Sequence, residues 1–282
     1  MHDDMASLIS KKPETYLQLL RRSGRLYADT FFKVLLLAFL LSIVTFIPRL
    51  ISVMVGQDLF LNLPLVSLRR LWLLLVDIVS LFFFIAILWR LYCHEYARDE
   101  PIGEDMATSL QKTPRVIVAA LIQFGFLLLV ALTVWGISLL ITHTPLGPTL
   151  NYENLAVISI MFILQTLFVF YIYILLYFYA PLIANENNGI IASLKRSATL
   201  VWGNWWRTFL LQITPWFCYF LLLILIRFLI GIDIHIYYMS NMLETFAATI
   251  LNIILFAFFI PWVAAVMVVQ LRDLELRKKA AS

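Results

Sequence analysis

Long apolar runs alternate with short polar segments along the chain. Each of six runs holds about 20 or more mainly apolar residues, the length that a helix needs to cross a hydrocarbon core of about 30 Å. The runs cover roughly residues 30–55, 68–92, 115–141, 155–184, 206–230 and 245–271. They are apolar on all sides, which favours helices in lipid, because each helix satisfies its own backbone hydrogen bonds. The pattern therefore predicts an all-α integral membrane protein with six transmembrane helices.

Composition supports this class and argues against several others. The chain is 62% hydrophobic and 13% charged, with a mean hydropathy of +0.91. Soluble domains are about half apolar and about a quarter charged. The two cysteines, Cys93 and Cys218, form neither a disulfide framework nor a zinc motif. No phosphate-binding loop, nucleophile elbow or nucleotide motif occurs, so we expect no enzyme, no cofactor and no metal site.

Positive charge is distributed unevenly between the two sides of the expected membrane topology. Residues 1–33, 90–115, 185–207 and 272–282 fall on one side and hold 17 of the 21 Lys and Arg. The remaining four are Arg49, Arg69, Arg70 and Arg227. By the positive-inside rule, both termini are short cytoplasmic tails. The loops are too short to fold alone, so we expect one polytopic domain over residues 1–282.

Three polar segments resemble one another and predict an internal repeat. They read "LRRSGRLYADTFFKVLLL" from Leu20, "LQKTPRVIVAALIQFGFL" from Leu110 and "LKRSATLVWGNWWRTFLL" from Leu194. In the ungapped alignment a hydroxyl column holds Ser23, Thr113 and Ser197, and a leucine column holds Leu37, Leu127 and Leu211. We therefore expect three parallel repeats, at about 14–92, 104–184 and 188–271. Each repeat would be a basic, cytoplasmic, interfacial amphipathic helix followed by a transmembrane hairpin.

The third copy predicts an amphipathic helix at the level of the lipid headgroups. Apolar residues recur there at spacings of three and four over 191–209, and Gly203 is expected to turn the chain into the fifth span. Residues 14–27 read similarly, whereas Pro114 is expected to open the third span as its first helical residue.

The candidates for contact with anionic headgroups are Arg21, Arg22, Arg25, Lys195, Arg196 and Arg207. The expected interfacial anchors are Trp202, Trp205 and Trp206. In the alternative interpretation, these charges and rings only fix the topology. Nucleic acid is not an expected partner, because the same loops carry acidic residues.

The third copy and its surroundings also resemble a known family. The residues that carry the resemblance are Pro181, Glu186, "ASLKRS" ending at Ser197, and Gly203. This combination resembles the YciC-type inner-membrane proteins of Gram-negative bacteria. It is also similar to the membrane domain that precedes some glycerophosphodiester phosphodiesterases. The resemblance implies a six-span protein of the bacterial inner membrane, with no established activity. The phosphodiesterase activity belongs to a soluble domain for which this chain has no counterpart.

Ionisable and amide side chains inside the spans are the remaining candidates for function. Asp77 lies well inside the second span and is expected to pack inward, with Arg49 or Arg227 as its partner. Gln123, Gln165, Gln212 and Asn252 are expected to form hydrogen bonds across helices. Cys93, His94 and Glu95 are adjacent in sequence, and adjacent residues point in different directions on a helix, so they predict no metal site.

These features leave three hypotheses for function. The first is a non-enzymatic membrane protein that contributes to envelope or membrane homeostasis through contact with lipid or with an unknown protein partner. The second is a transporter for a lipid or small solute, which a polar cavity lined by Asp77, Gln123 and Gln212 would favour. The third is an intramembrane enzyme, which would need reactive groups that converge. The first agrees best with the scarcity of reactive groups and with the small loops.

Overall fold

A computed structural model describes residues 12–55, 68–96, 98, 101–142, 152–185, 189–230 and 242–281. These residues form the helices α1 (Tyr16–Val55), α2 (Leu68–Glu95), α3 (Ile102–Thr142), α4 (Tyr152–Leu175), α5 (Tyr179–Asn185), α6 (Ile190–Val201), α7 (Trp205–Ile230) and α8 (Met242–Ala281). No β-strand occurs in this part of the chain. The predicted all-α fold class is confirmed.

Six of these helices are long and apolar enough to cross a membrane. Five of them lie in α1, α2, α3, α7 and α8, and the sixth is the stretch from Ser159 to Asn185, which contains most of α4 and all of α5. Their positions agree with the six apolar runs of the sequence. The protein is therefore a multi-pass membrane protein by the length and composition of its helices.

Helix α8 lies at the centre of the bundle. Two thirds of its most apolar stretch is buried within the protein, against a third or less for the other spans. It packs mainly along α1, and also against α2 and α7. Small residues on α8, including Ala257, Ala264 and Ala265, are fully buried. Small side chains let helix backbones approach closely, which is the main route to tight packing in lipid.

The spans α3, α4 and α7 lie at the outside of the bundle. Large apolar side chains on their outer faces are exposed, among them Phe124, Leu129, Phe162, Leu164, Phe168, Phe217, Leu221 and Phe228. Exposed apolar surface of this extent is unfavourable in water and favourable against acyl chains. These faces are the lipid-facing surface of the protein.

The three basic segments do not fold alike, which differs from the expectation of one surface helix in each repeat. In the first unit the segment is the beginning of the continuous 40-residue helix α1. In the second unit Pro114 lies inside α3, not at its first residue. Only in the third unit does a separate helix, α6, precede the span. The chain turns at Gly203, whose φ is +84°. The equivalent positions hold Asp29 and Ala119, and side chains with a Cβ rarely adopt that conformation.

A break between α4 and α5 positions α6 against the bundle. Pro181 in α5 has no backbone N–H, so the helix is interrupted over residues 176–178. The interruption leaves the Phe178 N–H and the Leu175 carbonyl without partners in their own helix. The buried Ser197 hydroxyl satisfies both, because its oxygen accepts from Phe178 N at 3.0 Å and its O–H donates to Leu175 O at 2.9 Å.

Candidate functional site

Charged residues from four helices meet at the end of the bundle where α1 begins and α8 ends, which we call the termini-side end. This group, the polar cap, consists of Glu14, Arg22, Glu95, Arg207, Asp273 and Arg277. Glu14 lies two residues before the start of α1, and the other residues lie on α1, α2, α7 and α8. The polar cap thus ties the first, second, fifth and sixth spans together at one end.

Asp273 is the centre of the polar cap and is 3% exposed. Its Oδ1 accepts a hydrogen bond from the Glu14 backbone N–H at 2.8 Å. Its Oδ2 accepts from Arg277 Nε at 2.8 Å and from Arg207 Nε at 3.2 Å. Both arginines also donate to the Glu14 carbonyl, at 2.7 and 2.5 Å. A buried carboxylate needs such paired donors to offset the loss of hydration.

Further ion pairs extend the polar cap to its neighbours. The Arg22 guanidinium donates to Glu14 at 3.0 Å and also to Glu95. Arg196 of α6 pairs with Glu275 at 2.6 Å, which holds the separate helix against α8. Away from the cap, Arg90 of α2 pairs with the fully buried Asp105 of α3 at 2.6 Å.

Beside the polar cap, a cleft of about 610 Å³ opens between α4 and the turn from α6 into α7. Its lining residues are Leu167, Phe170, Tyr171, Gly203, Asn204, Trp205, Trp206 and Arg207. Apolar and aromatic groups thus form most of the cleft, and Arg207 supplies a cation. This combination is typical of an interfacial position in a membrane.

Trp205 fixes one wall of the cleft. Its ring stacks on Tyr171 and on Phe209, with centroid distances of 5.4 and 5.7 Å. Its indole N–H donates to the Tyr171 carbonyl at 3.1 Å. Of the three predicted anchors, Trp202 and Trp206 are exposed and Trp205 is half-buried. Trp205 therefore packs within the protein, and the other two have surface free to contact lipid.

The six predicted headgroup-contacting cations divide into two groups. Arg22, Arg196 and Arg207 are partly or largely buried and take part in the ion pairs described above. Arg21, Arg25 and Lys195 are exposed. The structure gives the first group a role inside the protein that the sequence did not indicate. The acidic partners on α8 were missed, although the charge alternation in "QLRDLELRKK" is a signal for a paired helix face.

The prediction that Asp77 packs inward is wrong. Asp77 is exposed on α2, and it makes no hydrogen bond or ion pair with any residue that the structure describes. The fully buried residues of α2, such as Ile85 and Leu88, lie in the other half of the helix. The half that contains Asp77 is therefore only loosely covered. Neither Arg49 nor Arg227 is its partner.

Amide side chains do bridge helices, as predicted. Gln212 of α7 donates to Gln270 of α8 at 2.6 Å in a buried position. Asn252 of α8 accepts from the Tyr219 hydroxyl at 3.0 Å. Gln165 donates to the Ala131 carbonyl at 3.4 Å. Gln123 is buried on α3, and its Nε2 has no partner among the described residues. None of Asp77, Gln123 and Gln212 lines the cleft between α4 and the α6–α7 turn.

Within the ranges that the structure describes, no cluster of three His, Cys, Asp or Glu side chains has the arrangement of a metal site. The charged groups of the polar cap instead pair with one another. The arrangement at the termini-side end can hold helices together and present cations and aromatic rings to a ligand.

A family model matches residues 108–271, and its description is "Domain of unknown function (DUF7847)". The matched segment contains every residue that lines the cleft. No curated protein and no solved structure matches the chain significantly.

Proposed function

Since the matched segment covers more than half of the chain, the protein belongs to the DUF7847 family of unknown function, and we propose that it is a non-enzymatic membrane protein that binds anionic lipid. The binding site is the cleft between α4 and the α6–α7 turn. One acyl chain occupies the apolar part, and the headgroup lies at the termini-side end. The biological role is in membrane or envelope homeostasis.

The main support for this proposal is the chemistry of the residues in and beside the cleft. An acyl chain is complementary to Leu167 and Phe170, which line the cleft from α4. Trp206 is exposed at the opposite wall, where an indole favours the boundary between headgroups and acyl chains. The exposed Lys195 lies on α6, which precedes this wall, and cations there attract anionic headgroups at about 1 kcal/mol each.

Location and topology complete the proposal. The resemblance to YciC-type proteins supports a bacterial inner membrane, and the uneven distribution of Lys and Arg supports cytoplasmic termini. The polar cap and the cleft would then face the inner leaflet. The three parallel repeats remain part of the proposal. They are supported by the packing of α1 on α2, of α3 on α4 and of α7 on α8.

Lipid retention measured by native mass spectrometry tests the proposed function. Leu167→Trp places a bulky side chain in the cleft, whereas Leu164→Trp places the same side chain on the exposed face of α4, outside the residues that line the cleft. We expect Leu167→Trp to lose retained anionic lipid and Leu164→Trp to keep it. Equal retention by both variants would contradict the proposal. Retention of neutral and anionic lipid alike would contradict its headgroup part.

A further inference from the structure

A second, smaller cavity lies at the termini-side end, where α2, α5 and α8 converge. Its volume is about 60 Å³, and its polar lining consists of Tyr92, Glu95, Tyr96, Asn185, Arg272 and Glu275. One water needs roughly 10–15 Å³ of such space, so the cavity has room for a small polar group. It is separate from the cleft, with which it shares no lining residue.

Three buried polar atoms of this lining have no hydrogen-bond partner among the described residues. They are Glu95 Oε2, Asn185 Oδ1 and Arg272 Nε. Glu95 is only 5% exposed, and Arg22 pairs with its other oxygen. A buried polar atom without a partner is unfavourable, so each of these atoms favours a bound group that completes its hydrogen bonding. The cavity therefore fits a ligand that donates hydrogen bonds to two oxygens and accepts one from a guanidinium.

The charges around the cavity restrict the chemistry of that ligand. A simple anion would face the carboxylates of Glu95 and Glu275. A bare cation would face Arg272, and the described residues offer no metal-binding cluster. A ligand with a positive and a negative group avoids both conflicts.

Aromatic rings complete the positive side of the site. The rings of Tyr92 and Tyr96 lie 4.4 Å apart, and both line the cavity. Burial raises the pKa of Tyr96 to about 12, with the neighbouring Tyr92 as a smaller cause. A tyrosine phenol is neutral at physiological pH, and this shift moves the Tyr96 phenol further from ionisation. Neutral aromatic faces attract ammonium groups.

We propose that this cavity binds a phosphoethanolamine-type group, with its primary ammonium on Glu95 and Asn185 and an oxygen on Arg272. The ammonium supplies N–H donors to both unpaired oxygens. The phosphate oxygen accepts from Arg272 Nε. The group comes either from a lipid headgroup or from free phosphoethanolamine, because both carry the same chemistry. This site is independent of the anionic-lipid cleft.

Matched headgroups test the proposal on the full-length protein. Phosphocholine is the control, because its trimethylammonium has the same charge and no N–H to donate. We expect nanodiscs with ethanolamine lipid, or free phosphoethanolamine added in detergent, to raise Tm more than their choline counterparts do. An effect of the lipid alone identifies a headgroup site, and an effect of both identifies a site open to the free compound. Equal Tm values for ethanolamine and choline forms in both arms would overturn the proposal.

Two variants locate the site. Asn185→Leu removes one unpaired acceptor and leaves the Arg22–Glu95 pair in place, so the fold is expected to persist. We expect it to weaken phosphoethanolamine binding about tenfold, the effect of one lost hydrogen bond to a charged group. Glu104→Gln, at the exposed start of α3, is the control and should bind like the wild type. Unchanged binding by Asn185→Leu, or a high-resolution map with water alone in the cavity, would contradict the proposal.

Discussion

The first and third basic segments resemble each other in sequence and differ in structure. In the ungapped alignment, residues 20–37 correspond to residues 194–211. The first lies entirely within α1, whereas the second is divided between α6 and α7. Their aligned serines are both buried. Ser23 bonds to the Leu20 carbonyl of its own helix, and Ser197 bridges the break between α4 and α5.

The difference shows how one residue type serves two purposes. Helix α1 is continuous on both sides of Ser23, and the Ser23 hydroxyl adds a local hydrogen bond to the Leu20 carbonyl. In the third unit, Pro181 accompanies the helix break that precedes α6, and Gly203 turns the chain between α6 and α7. The result is a short helix that leads into the turn lining the cleft instead of extending a span. The polar cap then joins both units through Glu14, Arg207 and Asp273.

The largest expected effect follows from breaking the polar cap that joins the two units. Asp273→Ala leaves Arg207, Arg277 and the Glu14 N–H without their shared acceptor. Removing one partner of a buried ion pair costs about 3–5 kcal/mol. We expect the free energy of unfolding, measured by denaturant titration in micelles, to fall by that amount. Glu104→Ala should change it little, since Glu104 is exposed. A loss below about 1 kcal/mol for Asp273→Ala would rule out a central role for this carboxylate.

The aligned serines provide the next test. Ser197→Ala leaves the buried Phe178 N–H and Leu175 carbonyl without a partner, which costs about 1–3 kcal/mol. Ser23→Ala removes only a hydrogen bond to the Leu20 carbonyl. That carbonyl also accepts the ordinary backbone hydrogen bond of the helix, so the cost should be well below 1 kcal/mol. The same unfolding titration checks both variants. Equal losses would show that the two hydroxyls contribute alike and would remove the distinction between the units.

Replacing either of two glycines by alanine sharpens the comparison, because the two expected changes in stability have opposite signs. Gly24 lies in the interior of α1, where Ala is favoured by about 0.5–1 kcal/mol. Gly203 has a positive φ, where a Cβ costs about 1–2 kcal/mol. At neither position would a Cβ meet a neighbouring atom within 4 Å, so both effects arise from the backbone. We expect Gly24→Ala to raise Tm and Gly203→Ala to lower it. A gain for Gly203→Ala would show that the turn is not required.

The smallest effect on stability concerns the exposed cations. Lys195→Glu should leave Tm unchanged, because the side chain is exposed. We expect the affinity for anionic vesicles to fall about fivefold or more for this change of charge. Lys195→Glu combined with Arg196→Glu should also lower Tm, because Arg196 pairs with Glu275. Unchanged vesicle affinity for Lys195→Glu would remove that side chain from the lipid site.

The sequence predicted the spans because length and uniform hydrophobicity determine which segments cross a membrane. It also identified Gly203 as a turn and Gln212 as a helix-bridging side chain. It did not reveal that α8 is central, since a helix that is apolar on all sides does not show which face contacts protein. The prediction that Asp77 packs inward failed for the same reason. The roles of Ser197 and Asp273 depend on contacts between residues far apart in sequence, which no local pattern contains.

Photo-crosslinking with an anionic lipid that carries a diazirine on its acyl chain tests the central claim most directly. The protein is reconstituted in nanodiscs, irradiated and digested, and the labelled peptides are identified by mass spectrometry. The proposed function predicts adducts concentrated on residues 167–171 and 203–207, and their loss in Leu167→Trp. Adducts spread evenly over the exposed faces of α3, α4 and α7 would contradict a specific lipid site in the cleft.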